Sequence, residues 1–350
     1  MKALIGMSGG VDSSVAAYLM MQAGFSCIGA TMRLYTGQDL GCRDTTNVED
    51  ARSVADRLGI PFHVLDFSAD FRAQVMDHFT KSYESGLTPN PCVQCNRHLK
   101  FDKFLQSAFA LDCDCIVTGH YARIEQVGDR YLLRKAVDEA KDQSYFLYSL
   151  TQHQLQHTRF PLGELTKADA RLIAEQQGFL NAKKRDSQDI CFIPDGDYMA
   201  FLQRYTGKAY ATGDYLDLQG NTVGTHKGAV AYTLGQRKGL NLAMGQPVYV
   251  CAKDMEKNTV TVGPNEALYR KELLANDWNW IAIEGLTKPT PVYAKARSRM
   301  AEQPATVYPE SGGCARVVFD EPQRALTPGQ AVVLYAGDTV IGGGTITEIL

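Results

Sequence analysis

The chain of 350 residues has no excess of cations: 36 Lys and Arg face 39 Asp and Glu, a formal charge of −3. A phosphate-rich partner must then be met by local basic patches, because phosphate contacts need nearby cations whatever the total. No apolar run approaches the roughly 18 residues a membrane helix needs. The start, Met1-Lys2-Ala3-Leu4-Ile5, leads straight into a glycine loop, without a signal-peptide core or cleavage site. These absences predict a soluble, cytoplasmic protein with no membrane partner. The nine cysteines are odd in number and irregularly spaced, which argues against a disulfide framework in that compartment and leaves thiols free to react. Composition is otherwise ordinary, with 31 Gly, 13 Pro and 45% hydrophobic residues, which excludes a disordered or collagen-like chain. The length suits two or three domains, each able to bury a core.

What is present begins as β-α-β alternation. Strands are predicted at Ala3 to Met7, Cys27 to Leu34, Phe62 to Phe67 and Cys115 to Thr118. Helices are predicted at Ser13 to Ala23, from an Asn47 cap to Leu58, at Asp70 to Ser85 and at Phe101 to Leu111. Strands this apolar have no wet face, so they predict a parallel sheet covered on both sides, with function at its carboxyl ends. A hairpin is expected over Tyr121 to Val137, turning at Gly128-Asp129, and a capped helix starting at Thr166. From about residue 205 the texture becomes short strands between Gly, Asn and Asp turns. The resulting expectation is an α/β domain over 1–204, a small central β-rich domain over 205–275 and a C-terminal β-barrel over 276–350.

Ser8-Gly9-Gly10-Val11-Asp12-Ser13-Ser14 lies between the first strand and the first helix. Glycines permit close approach of a ligand, and backbone N–H groups, the Ser8 and Ser13 hydroxyls and the helix N-terminus can surround an anion. The loop lacks the lysine of a Walker A sequence. A plain glycine turn with capping serines is the alternative, and Ser-Gly-Gly-x-Asp-Ser in this setting is more restrictive than that. The string resembles the pyrophosphate loop of the N-type ATP pyrophosphatases, which implies transfer of AMP to an acceptor oxygen without naming the acceptor.

The cysteines narrow the acceptor. Thr88-Pro89-Asn90-Pro91-Cys92-Val93-Gln94-Cys95-Asn96-Arg97 reads as a stiff loop delivering two thiols, whose pKa Arg97 and Lys100 can lower. Lys183-Lys184-Arg185 precedes Cys191, a second thiol beside cations. With an ATP loop, this pattern points to sulfur transfer: one cysteine carries a persulfide and the other assists its release. Cys92-x-x-Cys95 and Cys113-x-Cys115 also admit a zinc reading, although residues i and i+2 of a strand share a face where cysteine packs as a small hydrophobe. Cys27 and Cys251 read as core; Cys42 and Cys314 lie in loops. Lys295, Arg297 and Arg299 alternate as a phosphate stripe would, or as the wet face of a barrel does. Trp278 and Trp280 share a face and read as core.

Fixed-order strings then run along nearly the whole chain: Gly6 to Ser13, Pro89-Asn90-Pro91 with Cys95-Asn96, Thr118-Gly119-His120-Tyr121, Lys141-Asp142-Gln143-Ser144-Tyr145-Phe146-Leu147, Asp186-Ser187 to Cys191-Phe192-Ile193, Leu234-Gly235-Gln236-Arg237-Lys238-Gly239 and Thr327-Pro328-Gly329-Gln330. Together they resemble the tRNA-specific 2-thiouridylase family, which makes 2-thiouridine at the wobble uridine U34 of the anticodon loop. The resemblance implies an adenine-nucleotide α-hydrolase-like fold, ATP with Mg²⁺, tRNA as partner, and a persulfide donor or relay protein. It implies Cys95 as catalytic nucleophile and Cys191 as persulfide carrier. ATP would be held by Gly6, Met7, Ser8, Gly9, Gly10, Val11, Asp12 and Ser13, with Met32 and Gly119 at the adenine and ribose. Asn90, Pro91 and Cys92 would adjoin the target base, extruded from its stack as such chemistry requires. His120, Lys141, Asp142, Gln143, Ser298, Arg299 and Gln330 would touch the tRNA. One position departs: many family members have Asp where this chain has Cys92. That removes a carboxylate near the uracil and creates three thiols, Cys92, Cys95 and Cys191, suited to a [4Fe-4S] cluster with one open iron. Sulfide delivered by such a cluster is the alternative to a persulfide; a different adenylating ligase with this loop, or a non-catalytic RNA-binding or sulfur-carrier protein, are the other readings.

Overall fold

The computed structural model describes residues 1–35, 46–182, 184 and 190–350. Five strands form a parallel sheet in the spatial order Phe62–Asp66, Ser26–Arg33, Lys2–Gly6, Cys115–Val117, Thr158–Arg159. Lys2–Gly6 is paired on both sides, with Ala3 opposite Cys27 in one neighbour and Cys115 in the other. Its residues Ala3, Leu4 and Ile5 are fully buried, as a strand covered on both faces must be. The order of connection reverses between Lys2–Gly6 and Cys115–Val117. In open α/β sheets the crevice at that reversal, beyond the strand carboxyl ends, is where ligands bind. Here it lies between the glycine loop after Gly6 and the segment from Thr118 to His120.

The helices are longer than their apolar periodicity suggests. Helical structure runs without interruption from Ser68 to Glu84, passing through a π turn at Arg72–Met76. Residues predicted as a loop before Phe101 are helical too: Pro91–Cys95 starts a helix that continues as Asn96–Lys103 and Phe104–Ala110. Pro91 occupies its first position, where the missing N–H costs nothing and the fixed φ suits helix entry. The helix near Asn47 begins at Thr46, so Asn47 lies within its first turn rather than capping it. Thr166 is a cap as expected, exchanging hydrogen bonds with Asp169.

A four-stranded sheet follows, ordered Tyr249–Asp254, Thr259–Gly263, Gly213–Leu216, Thr222–His226. The last unit is a β-barrel closed by pairing of Tyr269–Trp280 with Thr339–Ile349. Trp278 and Trp280 stack with ring centres 4.8 Å apart and pack over Gly342 and Gly344, where a side chain would collide with them. The predicted hairpin forms from Arg123–Val127 and Arg130–Arg134, yet it extends the barrel's sheet, because Arg134 pairs with Thr339. Arg123 and Arg134 both bond to Asp338, at 2.8 and 2.6 Å. One continuous apolar cluster joins Phe71, Phe79, Phe101 and Phe104 of the first unit to Ala331, Val333, Tyr335 and Val340 of the barrel. These units therefore share core. No helix among the described residues is long and apolar enough to cross a membrane.

Candidate active site

The glycine loop is braced from several sides. Gly9 has φ +71°, and a Cβ there would lie 2.5 Å from the Asn47 carbonyl oxygen, so glycine is required on both counts. The Ser8 backbone N–H donates to Ser13 Oγ at 3.1 Å, and the Ser13 and Ser14 hydroxyls donate to the Gly10 carbonyl at 3.1 and 3.0 Å. Gly10 precedes the helix Val11–Gln22 with extended backbone and no side-chain cap. The helix N-terminus is thereby left for an anion. Asn181 Nδ2 donates to the Gly9 carbonyl at 3.1 Å and to Ser14 Oγ at 2.9 Å. A trans peptide aims its C=O and N–H in opposite directions, so holding the Gly9 carbonyl outward turns the Gly10 N–H the other way.

Lysines absent from the loop itself arrive from elsewhere in the chain. Lys184 Nζ lies 2.8 Å from Asp50 Oδ2, 2.8 Å from Asn47 Oδ1 and 3.4 Å from the Gly9 carbonyl. It thus stands at the phosphate loop instead of tuning Cys191; Lys183, Arg185 and the Asp186-Ser187 string lie outside the described residues, as does Cys42. Lys167 Nζ contacts both Asp12 oxygens, at 2.7 and 2.8 Å, and the Tyr121 hydroxyl donates to Asp12 at 2.9 Å. Neither lysine was legible as a phosphate-loop residue, because each is 134 or more residues from its partners there.

Gly119 closes the other side of the crevice. A Cβ there would lie 2.8 Å from the backbone of both Asp12 and Ser13. Next to it, His120 Nδ1 is 2.7 Å from the Thr118 hydroxyl, and its ring packs against Phe101 and Phe160. Burial, aided by the Lys100 charge, holds His120 well below the usual imidazole range, so it is neutral. Met32 is partly buried near the carboxyl end of its strand, paired with Leu65.

The three thiols converge electrostatically. Cys92 and Cys95 stand three residues apart on the helix begun by Pro91 and hence on neighbouring faces. Burial pushes the Cys191 thiol up to about 12, with Cys95 and Cys92 adding to the rise and Lys100 opposing it. Burial also raises Cys95 and Cys92, again against Lys100. Cys95 is only 7% exposed, whereas Cys92 and Cys191 keep accessible surface. Accessible area on groups so strongly desolvated is what the wall of a cleft produces. Lys100 lowers these thiols as expected, but desolvation outweighs it and the net direction is upward; Lys100 is the one cation among the described residues that reaches all three. Arg97 instead pairs with Asp277 of the barrel. The Tyr35 hydroxyl donates to the Cys191 carbonyl at 3.2 Å, which ties Cys191 to the end of the second strand.

All eight described cysteines are free. Cys113 and Cys115 are buried, and among the described residues no three His, Cys, Asp or Glu side chains are grouped as metal ligands. Cys92, Cys95 and Cys191 are thus not drawn together as a ligand set for an iron–sulfur cluster among the described residues.

The residues expected at tRNA are placed as follows. Asn90 precedes the helix with extended backbone, and Pro91 is buried at its start. Asp142 accepts from the Ala136 and Ser144 N–H groups and from the Ser144 hydroxyl, and Gln143 Oε1 accepts from the Tyr121 N–H. Lys141 is partly buried in the same turn, and Gln330 Nε2 donates to the Thr88 and Pro89 carbonyls. Ser298 and exposed Arg299 follow the barrel strand Thr290–Lys295. The stripe of Lys295, Arg297 and Arg299 does not form, because Arg297 turns inward to the Leu234 carbonyl and the Thr327 hydroxyl.

Three family models match in series: one described as a tRNA methyl transferase HUP domain over residues 1–195, one as a tRNA methyl transferase PRC-barrel domain over 199–264, and one as an aminomethyltransferase beta-barrel domain over 270–346. Among curated proteins, the chain is 47% identical over 356 residues to the tRNA-specific 2-thiouridylase MnmA of Clostridioides difficile, covering 100% of this chain and 99% of that one. It is 49% identical to that of Symbiobacterium thermophilum, covering 100% and 93%. For Acetivibrio thermocellus the figures are 48%, 99% and 99%. The chain belongs to the tRNA-specific 2-thiouridylase family. As a 2-thiouridylase-family chain it uses ATP through its pyrophosphate loop, and Lys100, Lys167, Asn181 and Lys184 join the residues that shape the site.

Proposed function

We propose that this chain thiolates the wobble uridine, U34, of tRNA at C2. The reading is supported above all by one convergence: Cys191, far from Cys95 in sequence, is desolvated together with Cys95 and Cys92, and Lys100, whose charge reaches these thiols, also reaches His120, next to the Gly119 that packs on the phosphate loop. The enzyme is an ATP-dependent tRNA sulfurtransferase. Uracil O2 attacks the α-phosphorus of ATP, the α–β anhydride bond breaks and pyrophosphate leaves into the loop and helix N-terminus. Mg²⁺ travels with ATP as counterion of its phosphates. The outer sulfur of a Cys191 persulfide bonds to C2, the C2–O bond breaks and AMP departs with the former O2. Cys95 Sγ then attacks Cys191 Sγ; the S–S bond breaks with its electron pair on the sulfur now held by C2. The products are 2-thiouridine and a Cys95–Cys191 disulfide, which an external dithiol reduces before a persulfide donor reloads Cys191.

Burial raises the Cys191 thiol, which suits a carrier: its persulfide is the stronger acid and ionises where the thiol does not. Cys95 must lose its proton before it attacks, so its step gains rate as pH rises. Pyrophosphate cradle and paired thiols both serve thiolation and would be idle in the methyl transfer that the family-model descriptions mention. Asn90, Pro91 and Cys92 border the base pocket in this reading, with His120, Lys141, Ser298 and Arg299 facing tRNA. The units divide near residues 204 and 275 in this reading, with the helix Tyr198–Thr206 and the barrel strand Tyr269–Trp280 running across the two junctions, and the protein works in the cytoplasm, where tRNA is available. The test is mass spectrometry of wobble nucleosides from thiolation-deficient cells complemented with wild type, Cys95→Ser or Cys191→Ser. Wild type should restore 2-thiouridine and neither variant should; full restoration by both variants rejects the assignment.

A further inference from the structure

We propose that Gln330, at the rim of the C-terminal barrel, is a positioning residue for sulfur transfer: it holds the turn that sets the helix carrying Cys95. The inference rests on the thiolation reading above. Gln330 Nε2 donates to the Thr88 carbonyl at 2.8 Å and to the Pro89 carbonyl at 3.4 Å. The grip is reciprocal, since the Thr88 N–H donates to the Pro328 carbonyl at 2.9 Å. Between these contacts Gly329 has φ +90°, and a Cβ there would fall 2.9 Å from Thr88 N and 3.0 Å from Leu87 Cβ. Two backbones meet here at a separation that only glycine permits.

Downstream of the grip the chain has little freedom to absorb a shift. Pro89 and Pro91 lock φ and donate no hydrogen bond. Pro91 is buried as the first residue of the helix, and Cys92 and Cys95 follow within its first turn and a half. The same barrel holds the helix again beyond Cys95, where Arg97 pairs with Asp277 on the strand Tyr269–Trp280. Asn96, 1% exposed, adds a bond from Nδ2 to the Phe146 carbonyl at 2.9 Å. Cys95 is thus bracketed by two barrel contacts, Gln330 before it and Asp277 after it. The reaction needs its sulfur in line with the Cys191 sulfur, and a displacement of about 1 Å costs on the order of a hundredfold in rate.

The family resemblance assigns Gln330 to a tRNA contact, and the two roles separate in kinetics. A tRNA contact appears in affinity; a positioning contact appears in the rate at saturation. The variant is Gln330→Met, which keeps length and removes the donor, and the second is Asp277→Asn at the far end of the helix. Each full-length protein, loaded with persulfide on Cys191, is mixed with ATP and a tRNA transcript. Three quantities are read: tRNA Kd, tRNA-dependent pyrophosphate release, and the single-turnover rate of 2-thiouridine formation. Both variants should slow 2-thiouridine formation by about tenfold to a hundredfold, with Kd and pyrophosphate release within about twofold of wild type. Loss of tRNA affinity in Gln330→Met with an unchanged rate at saturating tRNA overturns the proposal in favour of direct contact, and an unchanged rate with unchanged affinity overturns it outright. If Gln330→Met does not fold, as judged by its melting curve, Asp277→Asn decides by the same readouts. A wild-type protein that releases pyrophosphate yet forms no 2-thiouridine defeats the thiolation reading itself, and the proposal falls with it.

Discussion

Replacing Gly119 by alanine probes whether the strand end and the phosphate loop form one site. The added Cβ would sit 2.8 Å from Asp12 C and Ser13 N and 3.0 Å from Asp12 Cβ. Carbon contacts settle near 3.5 Å or more, so the start of the first helix must retreat by roughly 0.7 Å. These neighbours are backbone atoms that cannot swing aside. Overpacking of this kind costs about 1–3 kcal/mol. If that strain is felt in the nucleotide-bound state, it converts at 1.4 kcal/mol per decade to roughly a 5- to 150-fold loss in kcat/KM for ATP. The assay is tRNA-dependent pyrophosphate release over a range of ATP concentrations, with a melting curve in parallel. Gly285→Ala is the control, because nothing lies within 4 Å of its added Cβ; it should match wild type. Should Gly119→Ala show kcat/KM for ATP within twofold of wild type, the crevice between Gly119 and the loop is not where the nucleotide sits.

Two further outcomes follow from the charges around the site. Lys184→Met removes the cation held by Asp50 and Asn47 beside the Gly9 carbonyl; KM for ATP should rise on the order of fivefold with kcat nearly unchanged, and little stability should be lost, since a half-exposed pair contributes about 0–1 kcal/mol. An unchanged KM would place Lys184 outside the phosphate subsite. Burial raises the Cys95 thiol, so its thiolate fraction is small at neutral pH and grows as pH rises. Single-turnover sulfur release from preloaded enzyme should therefore climb by about tenfold per pH unit through pH 8, as a single deprotonation requires, and a plateau below pH 8 would show a lowered thiol instead.

Where the sequence reading succeeded, the signal was local. The strand, glycine loop and helix of residues 2–22 are written in adjacent residues, as are the Thr166 cap and the hairpin at Gly128-Asp129. Where it failed, the deciding partner was remote. Arg97 looked like a cation for the neighbouring cysteines, but Asp277, 180 positions away, takes it. Lys184 looked like part of a basic run and is instead held by Asn47 and Asp50. Arg297 looked outward by strand alternation, yet the strand ends at Lys295 and the guanidinium turns in. The loop reading of residues 91–100 gave weight to proline as a breaker, although at the first helical position proline is a starter. Thiol acidity was misjudged for a different reason: nearby cations are visible in a sequence, and desolvation is not.

The joining of Arg134 to Thr339 bears on how the polypeptide is made. The hairpin of residues 123–134 leaves the ribosome some two hundred residues ahead of the strand Thr339–Ile349 that covers it, and an uncovered strand margin invites pairing with other chains. Until that strand has been made, the amino-terminal half carries an open seam and the cysteine helix lacks the partners that orient it. Products lacking that strand should therefore be aggregation-prone and unable to move sulfur, so that competence arrives only once it pairs.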